Sequence, residues 1–235
     1  MLGNNFIALV VTFAAAMAWL RLMDYFAQRG WIDSRLSRKI IHIGTGPLFV
    51  ACWLLFNDAP AARWLAALVP GAITVQFALV GLGLMQDPAA VQAMSRSGDR
   101  REILRGPLYY GIIFVVLTIA FWKDSPVGIT ALMLVCGGDG LADVLGRRYG
   151  RLKLPGKAQK SWVGSLSFLG GAWSFAMLML GGFSAAGVLP GPTASYLLPV
   201  SVIAAAATLV EALSPPDMDN LTITVAAVAL GLWLF

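Results

Sequence analysis

The stretch 126-PVGITALMLVCGGDGLADVLGRR-148 decides how this chain folds. Its first thirteen residues carry no charge, and the run to Gly146 has the length a helix needs to cross a bilayer, about 20 residues. Yet Asp139 and Asp143 lie inside it. An ionised carboxylate at bilayer depth costs at least about 2.5 kcal/mol on insertion scales, so such residues turn toward a protein interior and mark function. The stretch therefore predicts one membrane helix packed within a bundle of others. In a helix Asp139 and Asp143 share a face, with Arg147 one turn further on.

The rest of the sequence agrees. Of 235 residues 58% are apolar and 12% charged, and the mean hydropathy is +0.76. Soluble domains carry about 25% charged residues, so a soluble fold of this size has no means of hiding so much apolar surface. Eight Trp and five Tyr suit anchoring at membrane interfaces. Apolar runs at 5–23, 40–56, 64–85, 107–122, 126–146, 164–189, 194–213 and 220–235 predict an all-α, polytopic bundle of seven to eight membrane helices. No separate soluble domain is expected, so residues 1–235 are taken as a single membrane-embedded unit. No basic stretch precedes the run at 5–23, which is expected to be a retained span and not a cleaved signal. Cys52 and Cys136 fall in apolar runs and fit ordinary small hydrophobes.

Charge sets the orientation. Fifteen of the seventeen Lys and Arg lie in or beside the polar segments 24–39, 86–106 and 147–163; only Arg63 and Lys123 lie on the other side. The positive-inside rule makes those segments, and the turn 214–219, cytosolic, with both termini on the opposite side. The same rule accounts for the net charge of +5, so nucleic acid is not expected as a partner.

The polar residues then converge on one level. His42, the only histidine, lies at the cytosolic end of the second span, and Asp139 and Asp143 near that of the fifth. Glu211 ends the seventh, and Asp219 and Asn220 sit at the turn that follows. Two carboxylates on one helix face suit Mg²⁺, which takes one or two carboxylates plus substrate phosphates. Gly137, Gly138 and Gly140 remove side chains where a ligand would approach the backbone. The basic segment 147-RRYGRLKLPGKAQKSWVGS-165 is suited to holding phosphate. It is not a P-loop: Gly150 and Gly156–Lys157 are spaced one residue too far apart, and Ala158 stands where the motif needs Ser or Thr. A cytosolic-facing site of this kind, half in the membrane, implies an enzyme joining a phosphate donor to a lipid.

Six runs sharpen this: RKIIHIGTGPLF (38–49), RREILRGPLYY (100–110), FWKDSPVGI (121–129), GDGLADVLGRRYG (138–150), KSWVGS (160–165) and DNLT (219–222). In this order they resemble the phytol kinases, a branch of the CTP-dependent polyprenol kinase family that also contains dolichol and farnesol kinases. The resemblance covers about residues 38–222. It implies phosphate transfer from CTP, or another NTP, to an isoprenoid alcohol such as phytol or geranylgeraniol, with Mg²⁺, giving phytyl phosphate for tocopherol synthesis. On that basis Asp139 and Asp143 are expected to hold the metal or activate the hydroxyl, with His42 beside them. Arg38, Lys39, Arg147, Arg148, Lys157, Lys160 and Ser161 are expected on the nucleotide, and Gly138, Gly140, Glu211, Asp219 and Asn220 as the remaining wall.

Three other readings compete. A CDP-alcohol phosphotransferase needs an Arg after DGxxA and further Asp downstream, but Asp143 follows DGLA here and no Asp occurs between 144 and 216. A cytidylyltransferase acting on a lipid phosphate would release pyrophosphate instead of CDP. An ion-coupled transporter would show internal repeats and a midplane site; here the halves do not repeat and the polar residues gather at one face.

Overall fold

A computed structural model describes residues 3–32, 34–95, 97–155, 157–215 and 218–235; the side chains of Asp24, Gln28, Ser34, Arg35, Arg38, Ala93 and 157–159 also lie outside the description. The chain is almost wholly helical: α1 (Asn5–Gln28), α2 (Ser34–Ala51), α3 (Ala62–Leu82), α4 (Pro88–Met94), α5 (Gly106–Ala120), α6 (Pro126–Met133), α7 (Gly140–Tyr149), α8 (Trp162–Ala185), α9 (Leu197–Leu213) and α10 (Asp219–Leu234). A π-helical turn, Leu134–Asp139, joins α6 to α7 without a break. Six of the resulting helices are long and apolar enough to cross a membrane, and Lys39–Leu55 and Asp219–Leu234 are shorter apolar helices. Each of the eight expected spans thus has its helix.

Helices form because lipid offers the backbone no partner, so every N–H and C=O must bond within its own segment. Hydroxyls inside the spans follow the same rule: Thr12, Thr74 and Thr118 each donate to the carbonyl one turn back. Ends are marked locally. Asn4 and Asp87 cap α1 and α4 through their side chains, and Pro126 opens α6. Gly83 closes α3 at φ +81°, where any side chain would be strained.

The α6–π–α7 helix is the axis of the bundle. In its most apolar window 78% of residues are buried, against 22% for α1. Ile129 and every residue from Ala131 to Cys136 are fully enclosed, packed by α2, α5, α8 and α10. Outer helices instead turn Phe6, Phe13, Leu178, Leu198, Leu209 and Trp233 outward, an apolar belt suited to lipid. At one end of the bundle Asn5 bonds Asn57, and Lys123 donates to the Phe56 carbonyl and pairs with Asp58 at 2.8 Å. These groups mark one end of the bundle; Tyr196, just before α9, meets Phe235 at the close of α10. The basic segments lie at the other.

Two expectations change in detail. The segment 86–106 is not plain loop: it holds α4 and a 3₁₀ turn, Arg100–Leu104. The segment 147–163 contains a small antiparallel hairpin, β1 (Lys153–Leu154) with β2 (Lys157–Ser161), so among the described residues the architecture is all-α except for this strap. Period-2 patterning over two and five residues is too short to announce a strand.

Candidate active site

The site sits where α2 and the axial helix run antiparallel. One rung is Lys39 Nζ to Asp143 Oδ2, 3.0 Å; the next, one turn deeper, is His42 Nε2 to Asp139 Oδ2, 3.7 Å. The register is held by close packing: a Cβ on Gly140 would run into Ile43, and one on Gly46 into Cys136. Small residues let the two backbones approach and bring the charged ends together.

The two rungs differ. Both oxygens of Asp143 are engaged, Oδ2 by Lys39 and Oδ1 by Arg147 Nε at 2.6 Å. That group is one carboxylate between two cations, a place for phosphate more than for metal. The lower rung is looser. At 3.7 Å His42 and Asp139 are beyond a direct hydrogen bond, and His42 Nε2 is buried without a hydrogen-bond partner. The backbone of Val135, in the π turn, lies beside the imidazole.

Tyr110 on α5 fixes the imidazole from behind. The rings lie 4.4 Å apart, and the Tyr110 hydroxyl donates to the His42 carbonyl and bonds Cys136 Sγ, each at 3.2 Å. Neither Tyr110 nor Cys136 was expected here; Tyr110 lies in the RGPLYY run, whose chemistry as a partner of His42 only the fold reveals.

Lys160, last but one in β2, reaches across to α9 and α10. It pairs tightly with Glu211, which is only 4% exposed, and lies 4.0 Å from Asp219. Asp139, Glu211 and Asp219 are within electrostatic reach of one another. Thus α2, α5, α7, β2, α9 and α10 all deliver polar groups to one end of the bundle.

Several expected residues have other placements. Gly138 and Gly140 do not open space for a ligand: Phe168 and Ala172 fill the room before Gly138, and Ile43 that before Gly140. The reason is helix packing, which in lipid favours small residues. The Ser161 oxygen accepts from Gly164 N–H at 3.1 Å and caps α8, and a Cβ on Gly150 would strike the same hydroxyl. Arg148 points outward over Tyr149 and joins none of these groups. The side chains of Arg38 and Lys157 lie outside the description. Among the described residues no three of His, Cys, Asp and Glu are grouped to hold a metal unaided. A divalent cation at this end would complete its shell with phosphate and other oxygens, as Mg²⁺ commonly does.

Fold and site together define a polytopic helical membrane protein with a polar, charge-lined centre at one end of its bundle. The chain is 40% identical over 229 residues to "Probable phytol kinase, chloroplastic" of Triticum aestivum, covering 97% of this chain and 76% of that one. It is 38% identical to the protein of the same name from Zea mays, covering 100% and 78%. To "Farnesol kinase, chloroplastic" of Arabidopsis thaliana it is 37% identical, covering 96% and 74%. No family model matches the chain, and no solved structure matches it. It belongs to the phytol and farnesol kinase family, and is a transferase that phosphorylates an alcohol.

Proposed function

We propose that this chain transfers the γ-phosphate of CTP to the hydroxyl of an isoprenoid alcohol, phytol foremost, giving phytyl phosphate for tocopherol and related prenyl-lipid synthesis. The observation that carries this is the His42–Asp139 rung. A buried imidazole nitrogen without a hydrogen-bond partner, 3.7 Å from a carboxylate oxygen, is placed to share a lipid hydroxyl with it, the hydroxyl oxygen lying beside the pair. Phytol stands first because relatives covering nearly all of this chain carry that name, and the RGPLYY and FWKDSP runs agree. By the positive-inside rule the basic segments support a site on the cytosolic face, with both termini opposite.

In this reading the alcohol enters from the lipid with its hydroxyl beside the His42 Nε2–Asp139 Oδ2 pair, within reach of both. Its oxygen forms the new bond to the γ-phosphorus as the bond to the β-phosphate oxygen breaks, and CDP leaves. The hydroxyl proton passes to the His42–Asp139 pair. Lys39 and Arg147, held apart and aimed by Asp143, bind the phosphates. Phosphoryl transfer asks chiefly for such positioning and charge neutralisation. Mg²⁺, when bound, would neutralise the charge that develops on the phosphates. Asp139 would be its ligand from the axial helix. Asp143 fits that role poorly, since two cations already occupy its oxygens.

The test is a product assay on detergent-purified protein with phytol, Mg²⁺ and γ-labelled CTP, beside ATP, GTP and UTP. Label in an organic-soluble phosphate with release of CDP is expected. Pyrophosphate release would replace this reading with cytidylyl transfer. No transfer to phytol, geranylgeraniol or farnesol from any nucleotide would overturn it.

A further inference from the structure

Asn220 is nine-tenths buried, and its side-chain oxygen has no hydrogen-bond partner. A buried amide oxygen left unsatisfied costs about 1–3 kcal/mol, so something must repay it. Its neighbours tell what. The buried stripe of α10 is Asn220, Ile223, Thr224, Ala227 and Gly231, and Gly231 abuts Val127 of α6. The two helices run antiparallel. Eleven residues back from Gly231 is Asn220, and eleven forward from Val127 is Gly138, next to Asp139. The step along α10 covers about 16 Å, and α10 packs against both α6 and the π turn that ends at Asp139, so Asn220 lies near the level of Asp139 on the packed face of α10. Asp219, the preceding residue, is within electrostatic reach of Asp139.

We infer that Asp139, Asp219 and the Asn220 side-chain oxygen form a divalent-cation site between the axial helix and α10. Three hard oxygens from two helices suit Mg²⁺, with water and phosphate oxygens filling the other positions. Lys160, braced by Glu211 and 4.0 Å from Asp219, holds the α10 carboxylate in place from the hairpin. The end of the bundle is thereby divided: Asp143 with Lys39 and Arg147 receives phosphate, while the Asp139–Asp219 side receives metal.

This assignment rests on the kinase reading for its biological use but not for its test. Purified full-length protein is titrated with Mn²⁺, alone and with CTP, and free Mn²⁺ is followed by its electron paramagnetic resonance signal. Asp219→Asn and Asn220→Ala are each expected to weaken Mn²⁺ binding about tenfold or more. Asn220→Asp should retain it, and in the titration without CTP Asp143→Asn should leave it within about twofold. Each variant is first matched to the parent in gel-filtration profile and melting temperature. Asp143→Asn abolishing binding while Asp219→Asn leaves it unchanged would overturn the assignment, as would absence of bound Mn²⁺ in both conditions. Mn²⁺ bound through Asp219 without phosphate transfer from any nucleotide would instead retire the kinase reading and leave the cation site standing.

Discussion

Asp139 and Asp143 are four residues apart on one helix, yet their surroundings give them different work. Asp143 is tied on both oxygens to cations, whereas Asp139 faces an imidazole at 3.7 Å. Asp139→Asn is isosteric and removes the charge at the rung proposed to take the hydroxyl proton, so turnover should fall about a hundredfold or more. Melting temperature should change little. Asp143→Asn should act mainly through KM for the nucleotide, because it loosens Lys39 and Arg147 without touching the hydroxyl. Steady-state kinetics on both variants separates the roles; equal kcat losses with unchanged KM would refute the division. Lys160 is a further residue whose effect can be forecast from its partners. Lys160→Met strands the buried Glu211 carboxylate, and should cost about 2 kcal/mol of stability. That is below the usual figure for a broken buried pair, because the Lys160 side chain is 25% exposed. Adding Glu211→Gln should restore most of the loss in a thermal melt. The charged residues and their shared level were legible in the sequence, since spans and basic segments fix depth. Their pairings were not: whether Lys160 meets a phosphate or Glu211 depends on how helices rotate about their axes, which composition leaves open. Tyr110 escaped for the same reason, having no charge to declare it.

Helix packing explains why glycines crowd the GDGLAD segment. Gly140 and Gly46 let α2 lie against the axial helix, and Gly137 and Gly171 do the same for α8. Glycine inside a helix costs roughly 0.5–1 kcal/mol against alanine, a cost accepted here for close approach. Gly140→Ala would press on Ile43, and the overpacking should cost about 1–3 kcal/mol. More tellingly, it would part α2 from α7, stretching the Lys39–Asp143 and His42–Asp139 rungs together. Activity should therefore fall even though no reacting group has changed. Gly182→Ala in α8 is the control, because nothing lies within 4 Å of the added methyl; it should be neutral or slightly stabilising. Equal melting temperatures and activities for both variants would contradict this account. The spans themselves were readable from apolar length alone. The π turn and the hairpin were not, because each depends on contacts made elsewhere in the fold.

At the scale of the whole molecule the two ends of the bundle are chemically unlike. One end joins Asn5 to Asn57 and buries Lys123 against the Phe56 carbonyl and Asp58. The other collects Lys39, Asp139, Asp143, Lys160, Glu211 and Asp219. A lipid alcohol held in the bilayer can bring its hydroxyl to the second end while its chain stays in the membrane, and a soluble nucleotide can reach the same point from water. This requires the second end to face the compartment that holds the nucleotide, as the basic segments predict. Both native cysteines are buried, so single introduced cysteines can report the sides. Asp58 and Arg148 are well exposed at opposite ends. In right-side-out cells a membrane-impermeant maleimide should label Asp58→Cys, while Arg148→Cys should react only after the membrane is opened. In inverted vesicles the order should reverse. Labelling of Arg148→Cys from outside intact cells would turn the protein over and place its charged end away from the nucleotide pool, which the proposed reaction could not survive.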